Sequence, residues 1–168
     1  FLYLAGPSLV KAAIGQIADA EELGGARMHS EISGTVDFFE KDDPSCLKRL
    51  RSLVALLPEA KADGAEGVHG VHVLPKPAKN PDSVYDLISF DGRKNYDVHD
   101  LLDTIVDENS LDEYKADYGK TLLTGYARIN GRAVGIVANQ RVQVKTKKQG
   151  IQMGGVIYSE SADKAARF

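Results

Sequence analysis

The sequence predicts an α/β fold, and three observations carry that reading. Leu47, Leu50, Val54 and Leu57 recur every three to four residues, the period of an amphipathic helix over residues 43–57. Asn130-Gly131 separates two runs of strand-forming residues, 122–129 and 132–138, which is the strongest short-range signal for a hairpin. Residues 156–158 read as a third strand, and a further helix starts near Ser159–Ser161.

Taken in order, residues 1–5 predict a buried strand that Gly6-Pro7 breaks. Ser8 is the expected N-cap of a short helix carrying Leu9, Val10, Ala12, Ala13 and Ile14, stopped by Gly15. Residues 20–23 predict a helical turn closed by Gly24-Gly25, a pair suited to positive φ or to close backbone packing. In the 43–57 helix Asp43 is the expected cap and Pro44 suits the first turn. Its apolar stripe, with Leu53 beside it, should pack in the core; Lys48, Arg49 and Arg51 should face solvent, and no site is expected there. Pro58 stops the helix. Residues 59–83, with Pro75, Pro77, Pro81 and several glycines, read as a linker and the best domain boundary. Asp97 then caps a helix bearing Val98, Leu101, Leu102, Ile105 and Val106, and residues 109–120 remain open between helix and strand. Phe1-Leu2-Tyr3-Leu4 opens inside a strand pattern without Met, and the last residues to Phe168 follow a helical one, which predicts a piece of a longer protein.

With 168 residues, 43% of them hydrophobic, the chain can bury a sizeable core. A net charge of −3 gives no electrostatic case for nucleic acid or a membrane surface. No apolar run approaches the ~20 residues needed to cross a bilayer. Cys46, the single cysteine, has no internal disulfide partner and falls near the apolar stripe, so it reads as a core thiol. His29, His69 and His72 invite a metal reading, but the His69-x-x-His72 pair lies in the Gly-rich linker without an acidic or Cys partner at ligand spacing, and no bound metal is expected. The basic run 141–150, with Arg141, Lys145, Lys147 and Lys148, is either a charged exposed loop or a loop that reads phosphate; Lys11 poses the same alternative. Residue chemistry alone therefore stops at an α/β protein.

Two stretches resemble a known family. Ala5-Gly6-Pro7-Ser8-Leu9-Val10-Lys11-Ala12-Ala13, followed by Ala20-Glu21-Glu22-Leu23-Gly24-Gly25-Ala26, His29 and Ser33-Gly34, is similar to a segment of the carboxyltransferase (beta) subunits of biotin-dependent acyl-CoA carboxylases. Those subunits serve methylcrotonoyl-, geranoyl- and propionyl-CoA carboxylases, and Ser8 stands where they usually have Pro. Tyr96-Asp97-Val98 with Leu101, the hairpin runs Gly125–Arg132 and Val134–Gln140, and Ser159–Phe168 resemble the same family's C-terminal domain, in the same order. The 154–168 ending is closer to the methylcrotonoyl and geranoyl branch.

That resemblance implies a partial crotonase-like fold. Residues 1–58 would be the end of the N-terminal (acyl-CoA) domain, 59–83 the linker, and 84–168 the start of the C-terminal (biotin-side) domain. It implies transfer of carboxylate from carboxybiotin to an acyl-CoA, with biotin brought by a partner protein or domain. Biotin carboxylase and biotin carrier subunits would be the partners, and the domains would assemble into a homo-oligomer in the cytoplasm, or in the mitochondrial matrix of a eukaryote. The family's Gly-rich oxyanion loops align outside residues 1–168, so the isolated chain is expected to be inactive. Gly6, Pro7 and Lys11 are the expected acyl-CoA contacts. Two other readings share much of the pattern: the alpha subunit of a glutaconyl-CoA-type decarboxylase, which runs the transfer in reverse, and a catalytically silent assembly element.

Overall fold

The computed structural model describes residues 1–57 and 75–168. The first part is helical. Residues 1–5 form no strand: Leu2 N–H donates to the Gly24 carbonyl (2.7 Å), and the Leu2 carbonyl meets His29 Nε2 (2.7 Å). A strand needs the backbone groups of a neighbouring strand, and here a helix end and an imidazole take them instead. Helix α1 spans Pro7–Ile14 and ends at Gly15, whose φ of 72° closes the last turn. Its N-cap is Gly6 rather than Ser8, because the fixed φ of Pro7 suits the first helical position and places Ser8 inside the first turn.

Helix α2, Ala20–Gly24, is capped by Asp19, whose carboxylate accepts from the N–H groups of Glu21 and Glu22. The Gly24-Gly25 pair serves close packing, not positive φ: Gly25 has φ −72°, and a Cβ on Gly24 would lie 2.4 Å from the Leu2 carbonyl oxygen. Helix α3, Ala26–Met28, runs into a π turn, His29–Ser33, which Gly34 ends in the left-handed region.

Helix α4 spans Asp43–Ala55 and is capped by Asp42, which accepts from Ser45 N–H (2.8 Å); Asp43 lies within the first turn. Its orientation reverses the expectation. Leu47, Leu50 and Val54 are 57%, 52% and 64% exposed, and Cys46 is exposed with them, while Arg49 turns inward to Glu40 and Asp112. Periodicity establishes that a helix has two unlike faces. Which face turns inward depends on the neighbour, and the neighbour here presents a carboxylate.

Linker residues 59–74, with His69 and His72, lie outside the described residues, as does Pro58. Residues 75–83 pack on the second part: Pro77 bridges to Asp107, Lys79 N–H donates to the Asp103 carbonyl, and Lys79 Nζ pairs with Asp100 (2.6 Å) and Asp103 (3.0 Å). A 3-10 turn, Pro81–Ser83, leads into α5, Val84–Leu87. Helix α6, Val98–Leu102, is capped by Asp97 as its sequence predicts, though it stops short of Ile105 and Val106.

The three-stranded antiparallel sheet has the order β1 (Asp112–Tyr114), β2 (Leu122–Ile129), β3 (Arg132–Asn139). The β2–β3 register pairs Leu122 with Asn139 and Ile129 with Arg132 around Asn130 (φ 52°) and Gly131 (φ 77°), both left-handed as a type I′ turn requires. Val98, Leu102 and Val106 pack beneath Leu123 and Ala127 to form the core. A short hairpin, β4 (Val144–Thr146) with β5 (Gly150–Gln152), occupies the basic run. Residues 156–158 form no strand; the third sheet strand is β1, and Tyr158 instead caps α7, Ser159–Arg167, its N–H donating to Ser161 Oγ (2.8 Å).

Candidate functional site

Gly6 caps the exposed helix α1, on which Pro7 and Lys11 lie. The Gly6 carbonyl accepts from Leu9 and Val10 N–H, both at 3.0 Å, and the Tyr3 ring lies under Gly6, where a Cβ would come 3.2 Å from it. Pro7 opens α1, and Lys11 follows one turn later with its side chain at the surface and no ion pair among the described residues. The helix buries none of its residues, so it presents a bare turn and one free ammonium. Beside α2 and α3 a cleft of about 860 Å³ opens, lined by Met28, Ile32 and Phe39 together with Glu21, Arg27 and Lys147. Both ring nitrogens of His29 have protein partners: Nδ1 bonds Ser33 Oγ (2.9 Å) and Nε2 bonds the Leu2 carbonyl, tying the chain start to the π turn.

The basic run is partly neutralised. Lys147 pairs with Glu31 (2.7 Å), Lys148 reaches Glu160 (3.6 Å), and Arg141 donates to the Gly92 carbonyl (3.1 Å). Lys145 is exposed on β4.

A second charged group joins α6, β1 and α7. His99 Nδ1 meets Asp97 (2.7 Å) and Nε2 meets Glu113 (3.0 Å); Gln140 Nε2 donates to Asp97 (2.9 Å). Burial works against the Asp97 charge, but the bonds from Gln140 and His99 outweigh it and hold its carboxyl below the usual range. Lys164 is fully buried, donating to the Leu122 carbonyl (2.9 Å) with Glu113 at 3.8 Å. Its surroundings are satisfied on all sides that the bonds reach, so the group is built for architecture.

This network sets a pH dependence. Glu113, against the opposition of burial and with help from Asp97, pushes His99 up to about 9 from 6.5. The stabilisation of its charged form is complete below the unfolded value and is lost as pH rises through about 9. Burial, partly offset by Glu113, brings Lys164 down from 10.5 to about 8, so its contribution improves as pH rises between those values. Together they make stability fall above pH 6.5 and recover above 9. His99→Gln should abolish the falling limb in a series of melting temperatures across that range. Identical profiles for the two proteins would refute the role of His99.

The third cluster is the seam between the first part and β1. Arg49 bridges Glu40 (2.8 Å) and Asp112, and Ser52 also bonds Asp112. Lys115, only 2% exposed and at φ 50°, donates from Nζ to the Gly34 carbonyl (2.7 Å) and pairs with Asp37 (2.6 Å); its N–H donates to the Asp37 carbonyl (2.9 Å). Burial opposes ionisation of Asp37, but the Lys115 ammonium and its neighbours hold the carboxyl below its ordinary value. Ser30 adds a bond to Asp117 (3.3 Å), Arg128 donates to the Ala55 carbonyl, and Phe38 packs edge-on against Tyr114. Sequence reasoning singled out none of Lys115, Lys164 or Gln140, and it assigned Arg49 to the solvent face, where the structure turns it to Glu40 and Asp112. Lysines and arginines are surface residues by default, and no local pattern marks the ones that bond across dozens of residues.

An antiparallel sheet backed by helices is thus joined to a helical part through a polar seam. The chain belongs to the carboxyl transferase domain family, which it matches over residues 1–168. It is 39% identical over 167 residues to a biotin-dependent 3-methylcrotonyl-coenzyme A carboxylase beta1 subunit of Mycobacterium tuberculosis, covering 99% of this chain and 28% of that protein. It is 33% identical to the methylmalonyl-CoA decarboxylase subunit alpha of Propionigenium modestum, covering 99% of this chain and 30% of that one. Among solved structures, the hexameric transcarboxylase 12S with methylmalonyl-coenzyme A and methylmalonic acid bound superimposes with a TM-score of 0.66 at 37% identity, over 83% of this chain and 26% of that one. The chain thus spans less than a third of the length of these relatives.

Proposed function

We propose that this chain is part of a carboxyltransferase subunit that moves carboxylate from carboxybiotin to an acyl-CoA. The observation that carries the reading is the family match running through the whole chain. In this reading the α/β fold is a partial crotonase-like one. Residues 1–58 close the acyl-CoA domain, 59–83 link, and 84–168 open the biotin-side domain. Biotin arrives on a carrier protein that a biotin carboxylase has charged, and it is a substrate of this subunit rather than a resident group. The subunit assembles with copies of itself, in the cytoplasm or the mitochondrial matrix.

Chemically, the acyl thioester loses a proton at its α-carbon, or at the γ-carbon of an unsaturated chain. The resulting carbon nucleophile takes the carboxyl carbon as its bond to biotin N1 breaks, and N1 recovers a proton. The described residues contribute binding. The free Lys11 ammonium meets a phosphate of the CoA, and the bare Gly6-Pro7 turn lets the ligand approach the backbone.

The test uses the full-length subunit with its biotin carboxylase and carrier. Labelled bicarbonate should enter an acid-stable product with methylcrotonoyl-, geranoyl- or propionyl-CoA, and failure with all three would end this reading. Lys11→Ala in that enzyme should raise KM for acyl-CoA about fivefold, the loss of about 1 kcal/mol from one charge-assisted contact, with kcat unchanged. An unaltered KM would leave Lys11 as solvated surface. The likeness to the decarboxylase alpha subunit supports a second reading, transfer in the opposite direction. A subunit that purifies with a membrane pump and releases CO2 from a carboxyacyl-CoA would favour it.

A further inference from the structure

We propose that a notch between the 88–94 loop and the end of β3 binds the phosphate group of a small organic monoester, with Arg141 and Lys94 as its cations. The cavity measures about 330 Å³, at the small end of the range for ligand pockets. It is lined by Lys94, Arg141, Tyr96 and Asn139 together with Ile88 and Leu101, and no carboxylate is among its lining residues. In the basic run, Lys147 and Lys148 face Glu31 and Glu160, but Arg141 faces no acid among the described residues: its Nη2 donates to the Gly92 carbonyl (3.1 Å). Lys94 likewise donates from Nζ to a carbonyl, that of Asp86 (2.7 Å). Asp91, the acid of the loop itself, accepts instead from Ser89 Oγ (2.8 Å) and Arg93 N–H (3.1 Å). Two positive charges therefore line one small cavity with neutral partners.

Each carbonyl takes one donor from its cation and leaves the others, since an ammonium has about three and a guanidinium about five. These bonds position the charges without neutralising them. Arg141 is held at further points: its N–H donates to Gln140 Oε1 (2.8 Å), and a Cβ on Gly155 would lie 3.2 Å from Nη1. Lys94 N–H donates to Ser89 Oγ (3.1 Å), closing the loop around Gly92, whose φ is 66°. A site ordered before its ligand arrives loses less entropy on binding. Tying down a loop needs no charge, because a neutral donor bonds a carbonyl as well. Two cations on one cavity repel each other, and an anion between them turns repulsion into attraction. A phosphate monoester carries about −1.5 to −2 at pH 7 and matches both, where a carboxylate would match one. The planar fork of arginine suits the paired oxygens of a phosphate. Ile88 and Leu101 give the organic part of the ester an apolar contact, which inorganic phosphate cannot use.

Isothermal titration of the full-length subunit with phenyl phosphate and with inorganic phosphate tests the site. Phenyl phosphate should bind at least about threefold more tightly, from the apolar contact of its ring. Equal affinities would make free phosphate the occupant and overturn the monoester. Arg141→Gln should weaken phenyl phosphate binding about tenfold, the loss of about 1.4 kcal/mol from one charge-assisted contact. Asn139→Asp should weaken it about as much, by placing a carboxylate at the cavity while the Arg141–Gly92 bond stays. Lys145→Gln removes an exposed cation of β4 that does not line the cavity, and it should leave the affinity within about twofold. A parent that binds neither probe at millimolar concentration overturns the proposal. So does parental affinity in Asn139→Asp, or a loss in Lys145→Gln equal to that in Arg141→Gln. If Arg141→Gln fails to fold, Asn139→Asp decides alone.

Discussion

Replacing Lys164 with alanine lowers the unfolding free energy by about 3 kcal/mol, because it leaves a void and strips the Leu122 carbonyl of its donor. The ammonium lies under β2 with no solvent contact, bonded to the Leu122 carbonyl and facing Glu113. Glu113 keeps His99 as a second partner, which moderates the loss. Lys164→Met retains most of the volume and should cost about half as much, separating the cavity from the charge. Urea unfolding of the three proteins measures both differences. An alanine variant within 0.5 kcal/mol of the parent, about the spread of neutral surface changes, would show that the buried amine contributes nothing net.

Asp107→Ala is expected to cost about 2–3 kcal/mol, from two charge-assisted bonds to backbone amides lost at a buried site. The carboxylate is 3% exposed and accepts from Asn130 N–H (2.9 Å) and Gly131 N–H (2.7 Å), closing the β2–β3 turn from outside the hairpin. Asp107 N–H also donates to the Arg128 carbonyl (2.8 Å), so the residue holds the hairpin end by side chain and main chain alike. Hydrogen exchange at Asn130 and Gly131 would rise in the variant while the α6 amides stay protected. Uniform loss of protection would mean that the aspartate supports the whole sheet instead.

What was legible in the sequence was mostly local. Asn-Gly between two apolar runs needs no distant partner to make a turn, and Asp97 caps α6 with its own side chain. The misreadings concern long-range choices. Residues 1–5 carry strand formers but meet a helix end, and residues 156–158 supply backbone to a cap rather than to a sheet. Helix α4 has nearly the expected limits but the other face inward, because Asp112, 63 positions later, attracts Arg49. Cys46 moved to the surface with that rotation.

For the candidate site the same division holds. Gly6, Pro7 and Lys11 stood out through a run of residues that resembles a family; Gly6 is the N-cap of α1, and Pro7 and Lys11 lie within it. Lys115 had no such signal. Its left-handed backbone and its acceptors are products of tertiary packing, and a lysine before Ala116 reads in sequence like any other surface cation.

The Asn130-Gly131 hairpin has a further consequence, for folding order. Its eight paired positions come from residues close in sequence, and contacts of short separation close early because little loop entropy opposes them. Helix α4 leaves the ribosome well before that hairpin exists, carrying Leu47, Leu50 and Val54 in water and an Arg49 whose Asp112 partner is not yet made. Only the Arg49 contact is completed later, so the greasy face of α4 stands in water from synthesis onward, a surface for which holding chaperones have affinity.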